Sequence, residues 1–191
     1  MNKLFFIVPM LVVSISSATF GKDYISTEVK FCDSLKCDLQ DNVITGIVKT
    51  YDSSGKLRAE EPYVDGVMNG TLKSYYTNDK LREETPYKNG KINGIAKLYH
   101  QNGILHAQVS FVNGKQDGIS KTFYDNTRLR EQATFKNGKP DGIVKSYHEN
   151  GKPEVEINYK MGKPNGLAKW YDKDGKLTNQ VSFNGGRENA V

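Results

Sequence analysis

A glycine recurs every 24 residues along this chain, at Gly46, Gly70, Gly94, Gly118, Gly142 and Gly166, with no insertion between copies. Other residues keep step with it. Five residues on stand Tyr51, Tyr75, Tyr99, Phe123, Tyr147 and Tyr171. Eleven on stand Leu57, Leu81, Leu105, Leu129, Pro153 and Leu177. Seventeen on stand Tyr63, Tyr87, Phe111, Phe135, Tyr159 and Phe183. A period of this length marks an array of one supersecondary unit stacked on itself, and excludes a single irregular core.

The unit reads as a β-hairpin. Apolar and polar residues alternate over Ile95-Ala96-Lys97-Leu98-Tyr99, and again over Leu105-His106-Ala107-Gln108-Val109-Ser110-Phe111. Both segments suit strands in length and in aromatic and β-branched content. Asn or Asp precedes 13 of the 18 glycines, and such dipeptides favour hairpin turns because both residues tolerate positive φ. Asp79 and Thr127 stand where the other repeats have the first turn's glycine, so altered turns are expected in repeats two and four. Six hairpins predict an all-β fold: a single-layer antiparallel meander, or solenoid, of about twelve strands, roughly 55 Å long at about 4.8 Å per strand.

Alternation counted along the whole repeat puts the Ile, Tyr, Leu and Phe rows on one face. That face would serve for binding, through Tyr51, Tyr75, Tyr99, Phe123, Tyr147 and Tyr171 together with Tyr63, Tyr87, Phe111, Phe135, Tyr159 and Phe183. The opposite face carries Arg58, Arg82 and Arg130 beside Glu60, Glu84, Gln132 and Glu156, and reads as solvated. The third residue after each of these glycines is a lysine: Lys49, Lys73, Lys97, Lys121, Lys145 and Lys169. The count places this row with the aromatic rows. Two readings stand: stems laid over rings with ammonium groups in water, or a cationic ladder for an anionic polymer or acidic protein. Residues 46–189 hold 23 Lys and Arg against 17 Asp and Glu, whereas residues 19–45 hold 3 against 5. The positive charge therefore sits on the array, and its surplus is too small to indicate nucleic acid.

Three segments follow: 1–18, 19–45 and 46–191. In the first, Lys3 precedes the apolar run Leu4–Ile15, and Ser16 and Ala18 supply small residues for cleavage after Ala18, the pattern of a secretory signal peptide. A retained N-terminal anchor is the competing reading, although a spanning helix needs about 20 apolar residues. Export predicts a secreted or periplasmic chain in an oxidising compartment. There the only two cysteines, Cys32 and Cys37, are expected to form a disulfide within a cap on the first hairpin. The alternative metal reading lacks further ligands.

Tyr75 to Gly94 and Tyr147 to Gly166 carry the phrase Y-x-x-N-G-K-L and Y-K-N-G-K-x-x-G in whole or part. This phrase resembles the bacterial variant of the MORN repeat (membrane occupation and recognition nexus), over about residues 43–189. The resemblance implies a hairpin-meander scaffold that binds proteins and sometimes lipids. It further implies kinship with the YwqK family of antitoxins, in which a partner is a toxin.

Residues for catalysis are lacking. His100 and His148 occupy equivalent repeat positions and His106 a strand position, with no metal-ligand spacing. Nucleophile, zinc-protease and phosphate-loop patterns do not occur. Glu60-Glu61 and Glu83-Glu84 are adjacent in strands, so each pair points to opposite faces and cannot serve one substrate. The chain is expected to be a non-enzymatic scaffold without cofactor or metal, binding a protein partner through its aromatic face or, alternatively, anionic lipid or cell-wall polymer through its lysine row. A homodimer would cover an exposed face.

Overall fold

The computed structural model describes residues 31–32 and 45–189. Every regular element among them is a strand, and all join one antiparallel sheet. The strands are β1 (Phe31–Cys32), β2 (Gly46–Tyr51), β3 (Leu57–Val64), β4 (Val67–Met68), β5 (Gly70–Tyr75), β6 (Leu81–Lys88), β7 (Lys91–Ile92), β8 (Gly94–Tyr99) and β9 (Leu105–Val112). They continue with β10 (Lys115–Phe123), β11 (Leu129–Lys136), β12 (Lys139–Pro140), β13 (Gly142–Tyr147), β14 (Pro153–Lys160), β15 (Lys163–Tyr171), β16 (Leu177–Asn184) and β17 (Arg187–Glu188). The expected meander of six hairpins is therefore the fold.

Each hairpin closes through a turn in which the residue after the first arm donates to, and accepts from, the far side. Asp52 N–H reaches Lys56 O at 2.9 Å and Gly55 N–H reaches Asp52 O at 2.9 Å. The turns at Asp79 and Thr127 do not differ, contrary to expectation. Both residues take the left-handed conformation, at φ 63° and 67°, and both turns keep the same pair of bonds, made through Tyr76 and Tyr124. The hydrogen-bonded frame holds the turn and imposes positive φ on whatever residue occupies the corner. Repeats connect through turns such as Asn89-Gly90, where both residues have positive φ, the geometry that matches strand twist.

The facing of the rows corrects the sequence reading. Gly46 lies opposite Tyr63, Val48 opposite Glu61, and Lys49 opposite Glu60. Directly opposed residues share a face, so an odd position on the first arm joins an even position on the second. Within each arm the alternation is as expected, but the register between arms swaps it. A one-residue shift of register carries a whole strand to the other face. The register also slips between Thr50 and Tyr51, which brings Tyr51 opposite Leu57, and the slip recurs in every repeat.

The two aromatic rows consequently lie on opposite faces. Tyr63, Tyr87, Phe111, Phe135, Tyr159 and Phe183 belong to the packed face. There the most covered apolar residues are small or β-branched, Ala59, Ala96, Ala107, Val109, Ala133 and Ala168, with Phe135, Leu72 and Ile157 nearly as deep. Trp170, Tyr159 and Phe183 pack over Val155, Ile157 and Ala168. The Ile row is expected beside these core rows, yet Ile47, Ile95, Ile119 and Ile143 are exposed on the other face.

At the N-terminal edge, β1 adds to β2 with Phe31 opposite Lys49 and Cys32 opposite Val48. The remainder of the expected cap, the pairing of Cys32 with Cys37, and the expected signal peptide fall outside the described residues and side chains.

Candidate functional site

The lysine face carries the arrangement with most potential for recognition. Across it runs a polar row in which each lysine from Lys73 to Lys169 lies between second-arm residues, and Lys49 lies between Phe31 of β1 and Glu60. Glu60 lies opposite Lys49 and Lys73, and Glu84 opposite Lys73 and Lys97. Gln108 lies opposite Lys97 and Lys121, and Gln132 opposite Lys121 and Lys145. Glu156 lies opposite Lys145 and Lys169, and Gln180 opposite Lys169. The six lysines thus alternate with three carboxylates and three amides.

The carboxylates do two things. They pair with lysines, in Lys49–Glu60 at 4.0 Å, Lys97–Glu84 at 3.5 Å and Lys145–Glu156 at 2.9 Å. They also accept hydroxyl bonds from the tyrosine row of the next repeat, Tyr75 to Glu60 at 2.9 Å and Tyr99 to Glu84 at 2.8 Å. Burial first, then the carboxylate, pushes the Tyr75 and Tyr99 hydroxyls up to about 12. The Glu156 carboxyl is held low, chiefly by its Lys145 bond, and Lys145 is raised by the same bond. Tyr51, Tyr75, Tyr99, Phe123, Tyr147 and Tyr171 form the row to which these structural clamps belong, and sequence reasoning missed the glutamates that fix them. The repeated Glu at the fourteenth position is visible in the sequence, but counting alternation through the turn puts it on the wrong face.

Beside the polar row stands the exposed apolar row. Ile95 is 55% exposed, Ile119 48% and Ile143 49%, values high enough to make them available for contact. Their opposite neighbours are Ser110, Thr134 and Asn158, all small or polar.

The packed face offers less room. A cleft among Ala59, Glu61, Leu72, Ser74, Arg82, Glu83 and Tyr87 has space for about one water. Glu83 is buried there and accepts the Thr85 hydroxyl. Glu131, mostly covered, has its carboxyl pushed up by burial, against an opposing effect from Arg130. Near the hairpin turns, Arg58 pairs with Asp52, and Arg130 lies over the Tyr124 ring at 5.7 Å. His106 Nδ1 meets His100 Nε2 at 3.0 Å, and His100 Nε2 also meets Asp125 Oδ1 at 3.0 Å. Among the described residues no group of three His, Cys, Asp or Glu is arranged to hold a metal ion.

The pattern of the MORN repeat variant matches six successive segments: 44–65, 68–89, 92–113, 116–137, 140–161 and 164–184. The chain belongs to the MORN repeat variant family. No curated protein matches it. MORN repeats generally form non-catalytic scaffolds for protein or membrane binding. The MORN array here has the matching construction: one continuous sheet with side chains set out in rows.

Proposed function

We propose that this chain is a non-enzymatic scaffold that docks a protein partner on its lysine face. The observation that carries this is the exposed row Ile95, Ile119 and Ile143 set beside a lysine row on one rigid sheet. A row of exposed apolar side chains on one face is surface that a partner can cover. Its place on the lysine face moves the binding surface away from the second aromatic row, which is packed into the sheet. The alternative of a polymer held along an unbroken cationic ladder is less favoured, because Glu60, Glu84 and Glu156 interrupt the row.

The reading extends to an exported chain, following the signal-peptide pattern of residues 1–18. Kinship with antitoxins of the YwqK type makes an extracytoplasmic toxin the special case of such a partner. The test is affinity capture by the mature chain, residues 19–191, from the envelope fraction of its own cells. One stoichiometric protein should be recovered, and Ile95→Asn with Ile119→Asn should abolish its recovery. Equal recovery by the variant, or no partner at all, overturns the reading.

A further inference from the structure

Resting on that docking face, we propose that its centre is a carboxylate-binding patch around Lys121, and that the partner presents an acidic peptide segment to it. The six rungs of the polar row are not equivalent. Glutamates fill the second-arm positions at residues 60, 84 and 156, and each ion-pairs with a lysine. Glutamines fill two successive positions in the middle, and these two flank Lys121. Lys121 is thus the one lysine of the row with an amide on both sides. Along the row no carboxylate falls between Glu84 and Glu156: Lys97, Gln108, Lys121, Gln132 and Lys145 follow one another.

An ammonium between two carboxamides has donors to offer and no acid of the row beside it. A carboxylate arriving from outside accepts from the Lys121 Nζ and from the side-chain N–H groups of Gln108 and Gln132, a charge-assisted set. Exposed Ile119, two residues away on the same strand and face, gives an apolar contact beside the charge, and Ile95 and Ile143 repeat it about 9.6 Å to either side, two strands being about 4.8 Å each. The partner segment therefore brings an acidic side chain to Lys121 with apolar side chains beside it on the same face. The flanking rungs carry glutamates paired with lysines and attract it less, so the charge pattern sets where on the array it lies.

The probe is a short fluorescent peptide with a central Glu among Leu and Ser residues, titrated into the full chain at low salt. Gln108→Glu with Gln132→Glu restores the pattern of the outer rungs, where glutamate is already accommodated by the same fold. This double variant should weaken peptide binding by about tenfold or more, as charge pairing across interfaces does, and Lys121→Gln should do likewise. Lys73→Gln, between two glutamates, should leave it unchanged. Vesicles containing phosphatidylserine form the second arm and should bind weakly and without regard to the Gln positions. Peptide binding indifferent to the double variant overturns the inference, as does strong vesicle binding that the double variant removes. Failure of the peptide, with the cellular partner still captured through Ile95 and Ile119, would remove the patch and leave the docking face standing.

Discussion

Tyr99 donates its hydroxyl to the Glu84 carboxylate at 2.8 Å, tying the third repeat to the second. Tyr75 does the same to Glu60 at 2.9 Å, and Tyr171 to Glu156 at 3.4 Å. In a linear array, stability is close to a sum of repeat and interface contributions. Each clamp therefore acts at one interface, and Tyr99→Phe should lower stability by about 1 kcal/mol, measured by urea denaturation. The series breaks at the fourth repeat. There Phe123 takes the tyrosine position, opposite Leu129, and Gln108 in the preceding repeat needs no such donor.

Two of these tyrosines, with Tyr63, whose hydroxyl donates to Glu61 at 3.1 Å, predict an alkaline limit. In the fold the Tyr63, Tyr75 and Tyr99 hydroxyls are pushed from 10 up to about 12, by burial first and by their glutamates next. The fold favours the neutral hydroxyl, so this contribution is complete below pH 10 and is lost as pH rises through about 12. Absorbance titration should show late-ionising tyrosines in the native chain, these three among them, with Tyr87, Tyr124, Tyr159 and Tyr171 also raised. In denaturant they should ionise near the ordinary value, and native ionisation at that value would contradict the clamps.

Two corner residues should be improvable. Thr127 holds φ at 67° and Met161 at 51°, where a β-branched or bulky side chain crowds its own backbone. Gly occupies the Thr127 position in four other repeats, and Asn or Asp the Met161 position in four. Thr127→Gly should therefore raise stability by about 0.5–1 kcal/mol, the relief of left-handed strain exceeding the entropy cost of glycine. Met161→Asn should gain a smaller amount in the same direction. Parallel urea transitions decide the sign.

These corners also show what could be read from the sequence. Asn89-Gly90 and its equivalents announced the repeat-joining turns because positive φ restricts residue choice so strongly. The strand arms were legible from alternation inside each arm. The faces were not, since they depend on which residue of one arm meets which of the other. The slip that puts Tyr51 opposite Leu57 is a property of the turn and its bulge, and leaves no composition signal. Lys49 and Glu60 stand on separate arms of one hairpin, and only their opposition reveals that the lysine row is partly neutralised. Once that opposition is known, Gln108 and Gln132 stand out as exceptions.

The histidine pair predicts an acid limit. The His106 imidazole is lowered by burial first, then by His100 and Arg130, with Asp125 opposing. The fold therefore prefers neutral His106. Its contribution is present above the ordinary histidine value of about 6.5 and is lost as pH falls below it. Thermal unfolding followed from about pH 7.5 to about pH 5, across that ordinary value, should show a falling midpoint in the native chain. His106→Gln should flatten that fall. An unchanged slope would place the acid sensitivity elsewhere.

The last prediction concerns how the array ends. Phe135 is 5% exposed, lies opposite Gly118, and is followed by further repeats. Phe183 lies opposite Gly166 and is only half-buried, with the two-residue strand Arg187–Glu188 beyond it. Removing a buried ring costs the transfer energy of its atoms together with the cavity left behind. Phe135→Ala should cost about 3–5 kcal/mol. Phe183→Ala should cost clearly less, because its ring already meets water. Urea denaturation of both variants at two protein concentrations tests this. Equal losses with a concentration-dependent midpoint would mean that a second copy covers the β16 edge, since association stabilises by mass action. Unequal losses at a fixed midpoint would mean that the array ends as a monomer, with Phe183 as its outermost ring.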